Sequence, residues 1–285
     1  MDQTTAPSVS PPPSPLSAKD FRTDIKPVWC PGCGDFTVVA ALAKALAELE
    51  LSRENTAVIS GIGCSSRIAA YMSTYGFHGV HGRALPAATG LKLARPELTV
   101  LATGGDGDGF SIGGNHFLHA CRRNVDITYI VMDNAVYGMT KGQASPTTDP
   151  GWTNSKLTPD GTGIAPVEPM PLAMASGANF IARGFSGNPP ELTRLIVEGI
   201  RHPGFSFIQV LSPCVTFRPE QREWKQSVHA GPEEISVSDP REAWERILAD
   251  DGMTTGILFA GNRTPFQPPP RVRMEIAEIE KNFTL

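Results

Sequence analysis

The sequence predicts an α/β fold, a doubly wound, mostly parallel sheet with helices on both faces. Two observations carry that prediction. Short, continuously apolar, β-branched runs alternate with segments of helical period, and such runs suit strands buried on both faces of a parallel sheet. Each strong run also stops at a glycine-rich or polar turn: Gly61-Ile62-Gly63-Cys64, Thr103-Gly104-Gly105-Asp106, Asp133-Asn134 and Ser212-Pro213-Cys214.

The elements follow in order. Asp35 to Leu49 reads as a helix, with Val38, Val39, Leu42, Leu46 and Leu49 at helical spacing and Asp35 favouring its N-terminus. Thr56 to Ser60 and Leu98 to Ala102 read as strands, Gly114 to Arg123 as a helix, and Ile127 to Met132 as a third buried strand. Phe180 to Ala182 is a weaker strand, Leu192 to Ile200 a helix, and Ser206 to Leu211 a strong fifth strand. Right-handed crossovers place all the strands' C-terminal ends on one edge, where ligands of such sheets bind. Cys64, Asp106, Asn134 and Cys214 therefore fall on the same edge. Gly142 to Pro171 is rich in Pro, Thr, Gly and Asp and too long for an ordinary connection, so it reads as a functional or partner-contacting loop. Beyond Cys214 the pattern weakens to one helix at Glu242 to Leu248 and an extended tail from Gln267-Pro268-Pro269-Pro270.

The expected organisation is a disordered Pro/Ser-rich tail over 1–20, a ligand-binding domain over 21–220, and an extension over 221–285 that contacts a partner. A net charge of −4 with scattered basic residues argues against a nucleic-acid surface. No apolar run approaches the roughly 20 residues of a membrane helix. The N-terminus lacks the basic start and apolar stretch of a secretory signal, so a cytoplasmic location is expected. Five cysteines and no export signal argue against a disulfide framework.

Two groups of residues carry chemistry. Gly105-Asp106-Gly107 puts an acid in a tight turn after one strand, and Asn134 puts an amide after the next, one crossover later. With the backbone carbonyl near Val136 they form a hard oxygen set that suits magnesium, an ion that commonly keeps phosphates in its shell. Cys30-Pro31-Gly32-Cys33, with Cys64 and Cys214, offers four thiolates, and spacing alone does not choose between zinc and a 4Fe–4S cluster. A thioredoxin-like role fits poorly, because no strand directly precedes the pair. Cys121 lies on an apolar helix face and reads as a core residue. Arg67 offers a fork for a carboxylate, and Lys141 is a second candidate for a distal one.

A Gly-Asp-Gly turn followed by an Asn after the next strand resembles the signature of thiamine-diphosphate enzymes. GIGCSSR, HGRALPAATG, GGDGDGFSIGGNH and DNAVYGMTKGQ, in this order, resemble the β subunit of 2-oxoacid:ferredoxin oxidoreductases, most of all the 2-oxoglutarate member, from about Pro27 to Cys214. The resemblance implies a thiamine-diphosphate-binding, pyrophosphate-type domain. Asp106, Asn134 and the Val136 carbonyl would hold magnesium. Gly105, Gly107, Asp108, Gly138, Met139 and Thr140 would line the diphosphate. Ile62, Gly63, Cys64 and Ser65 would sit against the cofactor, and His81 would face it or the substrate. Cys30, Cys33, Cys64 and Cys214 would hold one 4Fe–4S cluster. The implied activity is coenzyme A-dependent oxidative decarboxylation, 2-oxoglutarate to succinyl-CoA, with electrons passed to ferredoxin. Reversibility and a place in the reductive tricarboxylic acid cycle belong to the same expectation.

Thiamine enzymes also need a glutamate on a second, similar domain, and only one βαβ set is visible here. An α subunit is therefore expected to supply that glutamate and the aminopyrimidine-side domain, in an αβ dimer of dimers. The competing readings are a pyruvate or broad-range oxidoreductase, a non-redox thiamine-diphosphate decarboxylase subunit, and a zinc-stabilised interaction subunit. The decarboxylase would have no use for the four cysteines together, and the interaction subunit would need no magnesium ligands.

Overall fold

A computed structural model describes residues 15–231, 237–268 and 276–283. Its eight strands form one sheet: β1 Thr56–Ser60, β2 Tyr75–His78, β3 Thr99–Gly105, β4 Ile127–Asp133, β5 Phe180–Phe185, β6 Phe205–Leu211, β7 His229–Ala230 and β8 Thr254–Ala260. The order across the sheet is β2-β1-β3-β4-β6-β5-β8-β7. The first six strands are parallel, and β8 joins β5 antiparallel. Ile130 in β4 is central, paired with Thr103 on one side and Ile208 on the other.

The helices are α1 Asp35–Glu48, α2 Ile68–Tyr71, α3 Ala84–Ala94, α4 Gly114–Arg123, α5 Pro169–Ala175, α6 Pro189–Arg201, α7 Trp224–Ser227, α8 Pro240–Leu248 and α9 Ile276–Phe283. Period-2 alternation along the central strands feeds two cores. Ile59, Ala102, Tyr129 and Phe207 point to one face, under α3, α4, α5 and α8. Val58, Leu101, Ile130 and Ile208 point to the other, under α1, α2 and α6. Both faces are covered, which is the doubly wound architecture expected. Among the described residues no helix is long and apolar enough to cross a membrane.

The strands and helices expected from periodicity form within a few residues of their predicted ends. The unanticipated elements are β2, α3, α5, α7, β7, β8 and α9, the last a helix at Ile276–Phe283 where an extended tail was expected. β2 is an exposed edge strand, and β8 carries Gly256 at φ +126 beside a register shift, so neither shows a clean apolar run. The C-terminal segment thus enters the main sheet through β8. Most of the expected N-terminal tail lies outside the described residues, but Phe21 is already fully buried.

β1 and β3 are neighbours whose following connections run opposite ways across the sheet, the first to β2 and the second to β4. Their C-terminal ends mark the topological switch point, where a crevice opens.

Candidate active site

A cavity of about 420 Å³ occupies that switch point. The turn after β1 contributes Ile62, Gly63, Cys64 and Ser65, and the turn after β2 contributes His81. The turn after β3 brings Gly105, Asp106, Gly107 and Asp108, and Asn134, Val136, Gly138, Met139 and Thr140 follow from β4. Every residue expected against a cofactor therefore borders one space, together with Tyr137 and Gln143. The chain leaves β3 through a π-helical turn, Asp108–Ile112, a rare geometry that recurs at functional sites.

Asp106 is buried on the cavity floor. Burial, and then the Asp133 carboxylate beside it, push its carboxyl up to about 7. Burial raises Asp133 as well. One hydroxyl, Thr147 Oγ1, lies 3.0 Å from Asp106 Oδ2 and 2.8 Å from Asp133 Oδ1. The charge acting on Asp106 is thus another anion's, and two buried carboxyls share a single donor. Asn134 Oδ1 accepts from Val136 N at 3.2 Å, and Ala135 between them sits at φ +51. Among the described residues no three His, Cys, Asp or Glu side chains converge on one metal-ion position. A set of one carboxylate, one amide and one backbone carbonyl does not require three such side chains, and a dication would relieve the repulsion on Asp106. The residues fit magnesium by donor chemistry.

The cysteines lie next door. Cys33 N donates to Cys30 O at 3.1 Å across a turn in which Gly32 takes φ +84. Gly34 N donates to Pro213 O, which ties this turn to the Cys214 loop, and Trp29 Nε1 donates to Cys64 O at 2.7 Å. Burial is the main cause that raises the Cys33 and Cys214 thiols and pushes Cys64 up to about 11. The Asp35 carboxylate and other cysteines of the group raise them further, Cys30 acting on both Cys64 and Cys214. A methyl group placed on Gly138 would lie 3.6 Å from Cys214 Sγ and 3.7 Å from Cys64 Sγ. Four thiols that act on one another suit a thiolate-held centre, either zinc or a 4Fe–4S cluster. Gly138 and Cys64 form the wall between this group and the cavity.

Residues 61–210 match the thiamine pyrophosphate enzyme, C-terminal TPP binding domain family. The chain is 40% identical over 254 residues to 2-oxoacid:ferredoxin oxidoreductase 2, subunit beta, of Aeropyrum pernix, covering 84% of this chain and 82% of that one. The chain belongs to the 2-oxoacid:ferredoxin oxidoreductase family, as a β subunit. It is 45% identical over 203 residues to 2-oxoglutarate oxidoreductase subunit KorB of Mycobacterium tuberculosis, covering 71% of this chain and 54% of that one. A solved structure, 2-oxoglutarate:ferredoxin oxidoreductase from Magnetococcus marinus with 2-oxoglutarate, coenzyme A and succinyl-CoA bound, superimposes with a TM-score of 0.84 at 38% identity, over 94% of this chain and 91% of that one.

In this β subunit some site residues take placements that their motifs do not reveal. The Asp108 carboxylate turns toward neighbouring loops: Oδ1 accepts from Ile62 N at 2.8 Å and Gly82 N at 2.7 Å. His81 Nδ1 lies 3.0 Å from the same oxygen but off the line of a full hydrogen bond. Asp108 thereby stitches three cavity loops together. Arg67 and Lys141 are exposed and do not line the cavity; Arg67 Nε donates to Tyr71 OH at 3.3 Å. Gln221 was not visible as a site residue, yet it receives Cys214 N at 2.8 Å and donates to Asn134 O at 2.6 Å, joining the cysteine loop to the magnesium loop. Thr147 and Asp133 were also unforeseen, because only tertiary contact places them at Asp106.

Gly107 is where a close approach forbids a side chain. A Cβ there would meet Tyr137 Cε1 at 2.1 Å. Displacing the ring costs about 1–3 kcal/mol, so Gly107→Ala is expected to weaken thiamine diphosphate binding about tenfold or more by calorimetry. Gly90→Ala, whose Cβ meets nothing within 4 Å, is the control and should leave binding unchanged.

Proposed function

We propose that this chain is the thiamine-diphosphate- and cluster-binding β subunit of a coenzyme A-dependent oxidoreductase that converts 2-oxoglutarate to succinyl-CoA and carbon dioxide, with ferredoxin as electron acceptor. One observation carries the reading: a cavity floored by Asp106, Asn134 and Val136 shares the wall of Gly138 and Cys64 with a group of four cysteines. Neither a decarboxylase without redox chemistry nor a zinc-stabilised interaction subunit accounts for both halves. The relatives' names and the ligands bound in the Magnetococcus structure support the substrate.

Thiamine diphosphate would supply the decarboxylation chemistry, and a 4Fe–4S cluster one-electron acceptance. The chain's own residues position and exclude. Asp106, Asn134 and the Val136 carbonyl would hold magnesium. Gly105, Gly107 and Gly138 let backbone approach a diphosphate, and Ile62 to Ser65 form the wall toward the cysteines. Asp108 ties the loop that carries His81 to the cavity through Gly82 N. Cys30 is exposed while Cys33, Cys64 and Cys214 are half-buried, which gives a cluster held by the four one solvent-facing corner toward ferredoxin. The activating glutamate and the aminopyrimidine-side domain would come from an α subunit, in an αβ dimer of dimers.

The test uses the complex purified anaerobically with its partner subunit, assayed with coenzyme A and a viologen acceptor. Turnover with 2-oxoglutarate well above that with pyruvate is expected; a preference for pyruvate would reassign the substrate. Arg67 is the candidate for the distal carboxylate, with Lys141 the second. A lost charge-assisted contact is worth about 1.5–3 kcal/mol, so Arg67→Met should raise KM for 2-oxoglutarate roughly 10- to 100-fold while KM for pyruvate moves little.

A further inference from the structure

We propose that Asp250, Arg183 and Gln209 form a buried relay that sets the affinity of the site for its divalent ion, so that the C-terminal segment controls cofactor loading; this rests on the thiamine diphosphate–magnesium reading above. The relay starts outside the stretch that matches the thiamine pyrophosphate domain. Asp250, between α8 and β8, pairs with Arg183 Nη1 on β5, and that same nitrogen donates to Thr254 O at 3.1 Å. Arg183 Nε donates to Gln209 Oε1 on β6 at 2.8 Å. Gln209 Nε2 donates to Asp133 Oδ2 at the end of β4 at 2.7 Å. Thr147 then joins Asp133 to Asp106.

Arg183, Gln209, Asp133 and Asp106 are each 5% exposed or less, and Thr147 is half-buried. The Gln209 amide is fixed from both ends, accepting from a guanidinium and donating to a carboxylate. Reversing it would set donor against donor and acceptor against acceptor. Asp133 is thereby held in one place. It directly precedes Asn134, and its Oδ1 accepts from Ala135 N at 3.1 Å, which sets the turn carrying two of the three expected magnesium ligands. Asp250 has a second effect. It neutralises a buried arginine that would otherwise project positive charge along the relay against an incoming dication. A buried chain of paired polar groups favours one geometry, and outer partners of metal ligands typically tune affinity about 10- to 100-fold.

The experiment titrates magnesium into the metal-free complex of both subunits at saturating thiamine diphosphate, with bound cofactor measured by equilibrium dialysis. Asp250→Asn and Gln209→Met are compared with wild type and with Asp251→Asn, an exposed neighbour. Half-saturating magnesium should rise about tenfold or more in both relay variants, with kcat at saturating magnesium within about twofold of wild type and Asp251→Asn unchanged. A network that only stabilises the fold would lower the melting temperature of the metal-free complex and leave the magnesium midpoint in place, and that outcome overturns the proposal. If Gln209→Met does not fold, the near-isosteric Asp250→Asn decides alone. Failure of the wild type to bind thiamine diphosphate with magnesium would instead overturn the cofactor reading.

Discussion

Asp106→Ala is expected to abolish thiamine-diphosphate-dependent turnover, and Asp106→Asn to make the metal-free chain more stable at alkaline pH. The two effects share one cause. The Asp106 carboxyl is buried beside Asp133, and both influences favour the protonated form, pushing it up to about 7. A group whose folded value lies above its unfolded one contributes stability at low pH and loses it as pH rises through the folded value. Metal-free wild type should therefore melt at progressively lower temperature from about pH 5 to 8, by about 2–4 kcal/mol in stability. Asp106→Asn should flatten that slope, since the amide does not ionise. Magnesium with thiamine diphosphate should restore wild-type stability at pH 8, because a dication favours the ionised carboxylate, and should do little for Asp106→Asn. The measurements are turnover with viologen and melting curves across pH. Retained activity in Asp106→Ala would refute the magnesium assignment, and a flat wild-type profile would refute the electrostatic account.

The placement of Asp106 and Asn134 was legible because it depends on local chain order. Each follows an unmistakable buried strand, and parallel strands of one sheet end on one edge. Cys64 and Cys214 were legible for the same reason. The contacts of Asp108 were not: it lines the cavity as expected, and its carboxylate also accepts from the Ile62 and Gly82 amides, which lie far away in sequence. Gln209 and Arg183 were hidden more deeply. Both sit inside strands that otherwise read as apolar, and their partners Asp133 and Asp250 are far away in sequence. β8 escaped notice because Gly256 and half-buried positions erase its alternation. Periodicity reveals elements that bury one kind of surface; it does not reveal polar contacts made across several strands.

Cys214→Ser should remove the electron path while sparing the cofactor cavity. Cys214 is outside the cavity lining, whereas its sulfur sits against Gly138 beside that of Cys64. Iron in a cluster is held by thiolates, and a serine hydroxyl ionises far less readily than a thiol. The variant should lose most of its iron and the electron paramagnetic resonance signal of the reduced cluster. Viologen reduction should fall to background, yet thiamine diphosphate should bind within about twofold of wild type, a difference of less than 0.5 kcal/mol. Cys121→Ser is the informative control. Cys121 is fully buried on the core-facing side of α4, so its loss should lower stability and leave iron content intact. Cluster assembly also has a predictable pH dependence. Burial and mutual repulsion keep the Cys33, Cys64 and Cys214 thiols protonated at neutral pH, so each must release a proton on binding iron. Reconstitution of the cluster-free complex should therefore proceed further at pH 8.5 than at pH 7. Stoichiometric zinc without iron in anaerobically purified protein would sink the redox assignment. Full thiamine-dependent decarboxylation by Cys214→Ser, with no change in product or acceptor, would leave a non-redox lyase, because then the four cysteines would be doing nothing for the reaction that their shared wall with the cavity implies.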